Sequence, residues 1–243
     1  MEALPYLRQV DLKRPEIPDP AQYPFCLPAI AKLSTLTFHP SVTFLIGENG
    51  SGKSTLIEAL AMTMGLNAEG GNRNTQFATQ ATHSDLWRYL KPIKSFKRPR
   101  DLYFLRAESF YNVASYMDGI ADPAVQGYGG KSLHRQSHGE AFMAVLANKL
   151  HGNGLYFLDE PEAALSPSRQ LSALIELHRL VAAQSQFIIA THSPILMSYP
   201  NAKIMLIDTD GLRQVAYEET DHYTITRDFL NRHPKVLEQL LAD

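Results

Sequence analysis

Residues 47–55 read Gly47-Glu48-Asn49-Gly50-Ser51-Gly52-Lys53-Ser54-Thr55, and Gly47 to Ser54 fit the phosphate-loop pattern G-x-x-x-x-G-K-[ST]. Backbone N–H groups converge on an anion only where the chain comes close or takes positive φ, which glycine permits. The helix expected to start at Ser54 adds the partial positive charge of its N-terminus. Lys53 is predicted to reach the β- and γ-phosphates of a nucleotide, and the Ser54 hydroxyl to ligate Mg²⁺. Further polar clusters follow in order: Glu108, Ser137-His138-Gly139-Glu140, Asp159-Glu160-Pro161-Glu162 and Thr191-His192-Ser193. Polar clusters at the ends of apolar strands are what an open parallel sheet shows where ligands meet its carboxyl edge.

The elements that must present these groups are legible as apolar runs. Val42 to Ile46 reads as a buried parallel strand, and Leu56, Ile57, Ala59 and Leu60 continue a helix that ends near Gly65. Leu102–Leu105, Leu155–Leu158 and Gln186–Ala190 are further buried strands, with a helix over 168–183 between the last two. Lys203–Asp208 and Leu212–Tyr217 form a hairpin about Thr209-Asp210-Gly211. Ala141–Ala147 is an apolar helix, 110–136 a small helical lobe, and 223–242 one or two helices interrupted at Pro234. Near the N-terminus, 6–13 reads as an edge strand, 28–33 as a helical turn and 35–38 as a second strand. Residues 67–74 read as loop, and 85–90 as a short strand or helix. Tyr23 precedes the phosphate loop; it either stacks on a base or packs the N-terminal lobe together with Phe25.

The chain has 243 residues, a formal net charge of −2 and one cysteine. That length suits one α/β domain with ample core. Cys26 alone excludes a disulfide framework or a C-x-x-C metal clip and suits a reducing, cytoplasmic compartment. The Met1 end carries Glu2, Pro5 and Arg8, which predicts no signal peptide, and no run is long enough to span a membrane. Arg88, Lys91, Lys94, Lys97, Arg98, Arg100 and Arg106 stand against Asp101 alone over 88–106. This run reads either as a solvated face or as a surface for nucleic acid or an acidic protein partner.

The loop Gly47–Ser54, the signature-like Ser137–Glu140, the strand running into Asp159-Glu160-Pro161-Glu162 and Thr191-His192-Ser193 together resemble the ABC-type ATPases over about residues 40–210. The string Asp159 to Leu165 is most similar to short stand-alone ATPases akin to the SMC/RecF and OLD-like groups. The resemblance implies a P-loop α/β fold with a mostly parallel central sheet, an antiparallel β edge lobe and a small helical lobe. It divides the single domain into 1–75, 76–136 and 137–243. Asp159 would hold Mg²⁺ through water, Glu160 would position or deprotonate the attacking water, and His192 would sense the γ-phosphate. Ser137 and Gly139 would complete the site of a second chain, making ATP and Mg²⁺ the cofactors of a homodimer. Departures are visible: His138 stands where a second glycine is usual and Ser166 where many relatives have Asp. The glutamine expected after the strand that follows the first lobe is missing, leaving Glu108, Arg106 or Gln76 for that role, with Glu108 assigned to the metal.

The segment between Glu108 and Ser137 is too short for long coiled-coil arms. The expected function is therefore an ATP-hydrolysing motor or switch, in a repair- or defence-like process. The alternatives are the nucleotide-binding subunit of a membrane transporter or a slow nucleotide-dependent binding switch.

Overall fold

A computed structural model describes residues 4–72, 83–106 and 137–242. In chain order the elements are β1 (Leu7–Leu12), α1 (Pro28–Ala31), β2 (Thr35–Thr37), β3 (Val42–Gly47), α2 (Lys53–Thr63), β4 (Gly71–Asn72), β5 (Leu90–Lys94) and β6 (Asp101–Arg106). They continue with α3 (His138–Ala144), β7 (Gly154–Asp159), α4 (Pro167–Ala182), β8 (Gln186–Ala190), α5 (Pro194–Met197), β9 (Lys203–Asp208), β10 (Gly211–Val215) and α6 (Asp221–Leu240). The central sheet has the order β10-β9-β3-β8-β7-β6-β4. Neighbours from β9 to β6 are parallel, and β10 and β4 run antiparallel at the two edges. An antiparallel sheet, β2-β1-β5, covers one side.

The central strands are apolar along their whole length because both faces are covered, as parallel sheets require. Alternation of side chains divides them between two layers. Val42, Phe44, Ile46, Tyr156, Leu158, Phe187 and Ile189 pack with α3 and α4. Leu45, Leu155, Phe157, Ile188 and Ala190 pack with α1, α2 and the antiparallel sheet.

One buried amide joins the two sheets. Gln186 is 0% exposed at the start of β8. Its Oε1 accepts from the Leu7 N–H (3.0 Å), and its Nε2 donates to the Leu7 and His39 carbonyls (2.9 and 3.0 Å). The side chain thus acts like one more peptide group of a strand laid beside β1.

Several boundaries differ from the sequence reading. β1 is the centre of its sheet and not an edge, because β5 returns to pair with it. Residues 90–94 form a strand of the antiparallel sheet, while the strand read over Leu102–Leu105 is present as β6 of the central sheet. Residues 71–72 form a short strand on β6, and 85–89 a 3₁₀ turn. α3 starts at His138 and widens into a π turn over Val145–Lys149. α6 is one helix with a break at Arg232 (φ −136°), two residues ahead of Pro234. No residue of α6 is buried, and Ile225, Leu230 and Leu240 face outward. The helical lobe expected over 110–136, and Glu108 and Gln76, lie outside the described residues.

Replacing Gln186 by Leu keeps the volume but strands Leu7 N–H and two carbonyls. Loss of about 3 kcal/mol of folding stability is expected, read as a lower urea midpoint at unchanged slope.

Candidate functional site

Strand register brings the reactive groups into one row. Arg106 pairs across to Asp159, Asp159 to Ala190, and Ala190 to Leu45. Just beyond, the Glu160 N–H donates to the Ala190 carbonyl (2.9 Å) and the Thr191 N–H to that of Leu45 (3.2 Å). The ends of β6, β7, β8 and β3 therefore stand side by side at the carboxyl edge. β8, which carries His192, lies between the strand of the phosphate loop and the strand of the acids.

The loop Gly47–Gly52 leaves β3 under tight packing. A Cβ at Gly47 would lie 2.4 Å from the Ile207 carbonyl oxygen, and Gly52 enters α2 at φ +98°. Both positions require glycine. Lys53, only 4% exposed, folds back to donate to the carbonyls of Gly47 (2.8 Å) and Glu48 (3.0 Å). Burial pulls its pKa down, while Glu160, Asp159, Glu48 and Glu162 pull it up. Ser54 Oγ donates to Asp159 Oδ1 at 3.0 Å. A hydroxyl and a carboxylate so juxtaposed fit Mg²⁺, which takes few protein oxygens and keeps several waters.

Tyr23 stands at the rim of this loop, 61% exposed, with its hydroxyl 3.4 Å from Thr55 Oγ1. It lines a concavity of about 240 Å³ with Leu27, Gly50, Lys53, Ser54 and Glu160. Phe25 instead is buried edge-on against Tyr89, 5.0 Å between centroids. The two aromatics therefore divide the alternatives: Phe25 packs the lobe, and Tyr23 is left open beside the phosphate loop.

The acids differ in environment. Asp159 is 3% exposed, with Arg106 Nε 3.4 Å from its Oδ2. Arg106 Nη1 also meets Glu58 Oε2 of α2 at 2.8 Å. Arg106 thus leaves the basic run, whose other members, Arg88 to Arg100, are exposed, and faces the site. Glu160 adopts the left-handed conformation (φ +48°), a strained choice for a side-chain-bearing residue. That bend puts its Oε1 3.8 Å from His192 Nε2. Glu162 turns inward and accepts from Thr191 Oγ1 (2.7 Å) and the His192 N–H (2.5 Å). Burial raises its pKa, partly offset by these hydrogen bonds. Glu162 therefore ties the acidic turn to the histidine turn.

Ser137 caps α3 in a reciprocal box with Glu140, and Arg169 donates to the Ser137 hydroxyl at 3.1 Å. Gly139 is buried, and a Cβ there would lie 2.7 Å from the Ala164 carbonyl oxygen. Its glycine is explained by packing within the chain. His138, not Gly139, lines a concavity of about 190 Å³ with Ser54, Arg106, Asp159 and Glu160.

Reading the residues in order missed Glu58, Glu162 as a brace, and His222, whose Nε2 lies 3.2 Å from His192 Nδ1. Glu58 left one trace, a lone acid between Ile57 and Ala59 in an apolar helix. His222 left none, because only the fold brings α6 to this edge.

His192 and His222 both have pKa values lowered from 6.5, chiefly by burial. The unfolded chain then binds more protons than the folded one just below pH 6.5, so stability falls as pH drops through that window. The double variant His192→Gln/His222→Gln is expected to flatten this slope in chemical denaturation followed between pH 5 and 7.

A family model for an AAA domain matches residues 29–100. A second, described as AAA domain, putative AbiEii toxin, Type IV TA system, matches residues 140–198. No curated protein matches the chain. Among solved structures, cbiO1 from Clostridium perfringens, part of the ABC transporter complex cbiONQ, is 17% identical with TM-score 0.51, covering 97% of this chain and 98% of that one. The SMC head domain from Thermotoga maritima is 15% identical with TM-score 0.46, over 86% and 98% of the two chains. A putative metal-chelate type ABC transporter in an inward-facing conformation is 17% identical with TM-score 0.44, over 79% and 78%. The likeness to cbiO1 speaks to the fold, and the two AAA-domain matches bracket the phosphate loop on one side and the acids with His192 on the other. The chain thus shares its fold with cbiO1, and the AAA-domain models match the two stretches that carry its phosphate loop and its acids with His192.

Proposed function

We propose that this protein binds and hydrolyses Mg-ATP, and that its working form is a homodimer closed over two nucleotides. The observation that carries the reading is the Ser54–Asp159 contact, set in register beside Glu160 and His192. Lys53 and the loop Gly47–Thr55 would hold the phosphates, and the open ring of Tyr23 would stack on the base. Ser54 and Asp159 would hold the metal, which offsets charge on the phosphate oxygens. Glu160, more open to solvent than Asp159, would take a proton from the attacking water. His192 would donate to the terminal phosphate.

Dimerisation is supported by the place of Ser137, although its neighbour His138 faces Ser54, Asp159 and Glu160 of its own chain. Neither Ser137 nor Gly139 lines the concavity around Lys53 and Tyr23, while Ser137 is exposed and held firm by Glu140 and Arg169. A hydroxyl fixed at a helix N-terminus suits a phosphate brought by a second copy. Ser137 would make that contact, with the Gly139 backbone behind it.

The biological role we favour is a motor or switch in a cytoplasmic repair- or defence-like process. The toxin–antitoxin description of the second family supports it. So do the exposed cations from Arg88 to Arg100, interleaved with outward-facing Ile93 and Phe96 on the edge strand β5 and the loop after it. No helix among the described residues is long and apolar enough to cross a membrane.

Glu160→Gln is expected to lower kcat by about 10²–10⁴-fold and to trap a dimer with Mg-ATP, seen as a doubled mass by light scattering. A variant that stays monomeric at saturating Mg-ATP overturns the dimer. Binding to DNA or RNA should weaken steeply with salt and fall on charge reversal at Lys97, Arg98 and Arg100. Salt-independent binding, or indifference to that reversal, removes nucleic acid as the partner.

A further inference from the structure

Two imidazoles meet at the site, and the reading above uses only one. His192 Nδ1 and His222 Nε2 are 3.2 Å apart, with ring centroids 5.4 Å apart and planes inclined by 48°. The contact is built from both sides. The His192 backbone N–H is held by Glu162. His222 lies in the first turn of α6, behind the buried cap Thr220, which accepts from Tyr223 N–H. Tyr217, just ahead of that cap, donates to the Pro194 carbonyl at 2.8 Å. The segment carrying His222 is thus pinned to the turn that follows His192.

A hydrogen bond between two ring nitrogens contains one proton, so one ring must donate and the other accept. Suppose His192 Nδ1 holds it. His192 Nε2 then carries a lone pair that is buried, without a hydrogen-bond partner, and 3.8 Å from the Glu160 carboxylate. Two electron-rich atoms would face each other out of water, which is unfavourable. If His222 Nε2 holds the proton instead, His192 Nε2 carries an N–H toward Glu160. This second arrangement removes the repulsion and aims a donor at the place where negative charge is expected.

We propose that His222 is a positioning residue: it donates from Nε2 to His192 Nδ1 and so fixes His192 as the Nε2–H tautomer, able to donate to a carboxylate or a terminal phosphate oxygen. The role of the N–H toward phosphate rests on the Mg-ATP reading; the tautomer does not. Burial and Lys53 hold His192 below the usual imidazole pKa, and burial and His192 do the same to His222. The donor is therefore supplied by tautomer choice and not by a positive charge.

The test uses full-length protein carrying ¹⁵N-histidine, with resonances assigned from His192→Gln and His222→Gln spectra. Above pH 7 a proton on His222 Nε2, coupled through the hydrogen bond to an unprotonated His192 Nδ1, is expected, together with protonated His192 Nε2. A proton found on His192 Nδ1, or no coupling between the rings, overturns the proposal, whether or not the protein hydrolyses ATP. In the ATPase assay His222→Phe should lower kcat by about tenfold at unchanged KM, while His222→Gln, whose amide N–H can still donate, should recover to within about threefold of wild type. Equal loss in the two folded variants would mark His222 as packing only and overturn the proposal. Absence of turnover in wild type would instead defeat the Mg-ATP reading and leave the tautomer to the spectra.

Discussion

The site depends on β8 lying in register between β3 and β7. A parallel sheet with both faces covered has little freedom to slip, because a shift of one residue would turn every apolar side chain to the wrong layer. Phe187 and Ile189 face α4 while Ile188 and Ala190 face α2, and their neighbours in β3 and β7 follow the same alternation. With that register held, the phosphate loop, the two acids and His192 emerge at one height. The Ser54–Asp159 hydrogen bond and the Glu160–His192 approach follow from it.

Charge is the second constraint. Glu58, Asp159, Glu160 and Glu162 crowd around Lys53 and Arg106, and each carboxylate is handled differently. Glu58 and Asp159 share the Arg106 guanidinium. Glu162 is half-buried and answered by hydrogen bonds from Thr191 and His192. Glu160, set in a left-handed turn, is more open than Glu58 and Asp159 and so keeps the freedom to meet water. Similar residue types thus acquire different tasks through burial and partners, as paired catalytic carboxylates do elsewhere.

The rest of the chain converges on the same edge. The start of α3 presents a fixed Ser137 outward and buries Gly139 against Ala164. α6 touches the edge through His222 and leaves its apolar side chains in solvent. Tyr23 stands open at the rim of the phosphate loop. The elements meet where the parallel strands end, which is where open sheets gather ligands.

Much of this was legible in the sequence, because short-range chemistry leaves local marks. The glycine spacing before Lys53, the apolar run ending in Asp159-Glu160, and the placement of His192 after a strand each need only neighbours in the chain. The P-loop α/β fold with its mostly parallel sheet follows from those runs. What tertiary structure alone decided are contacts between residues far apart in sequence. Arg106 reads from sequence either as one more cation in a basic run or as a stand-in for the missing glutamine, and its place beside Asp159 comes only from β6 lying next to β7. Edge position misled for residues 6–13, because pairing with β5 is set by packing and not by propensity. Gly139 has a packing reason that its neighbours in sequence do not reveal, since a backbone carbonyl from another loop fills the space where a side chain would be. Gln186 and His222 carry no local signal at all, since their partners lie across the fold. Motifs record what a few adjacent residues must do; which side chain orients them depends on the path of the whole chain.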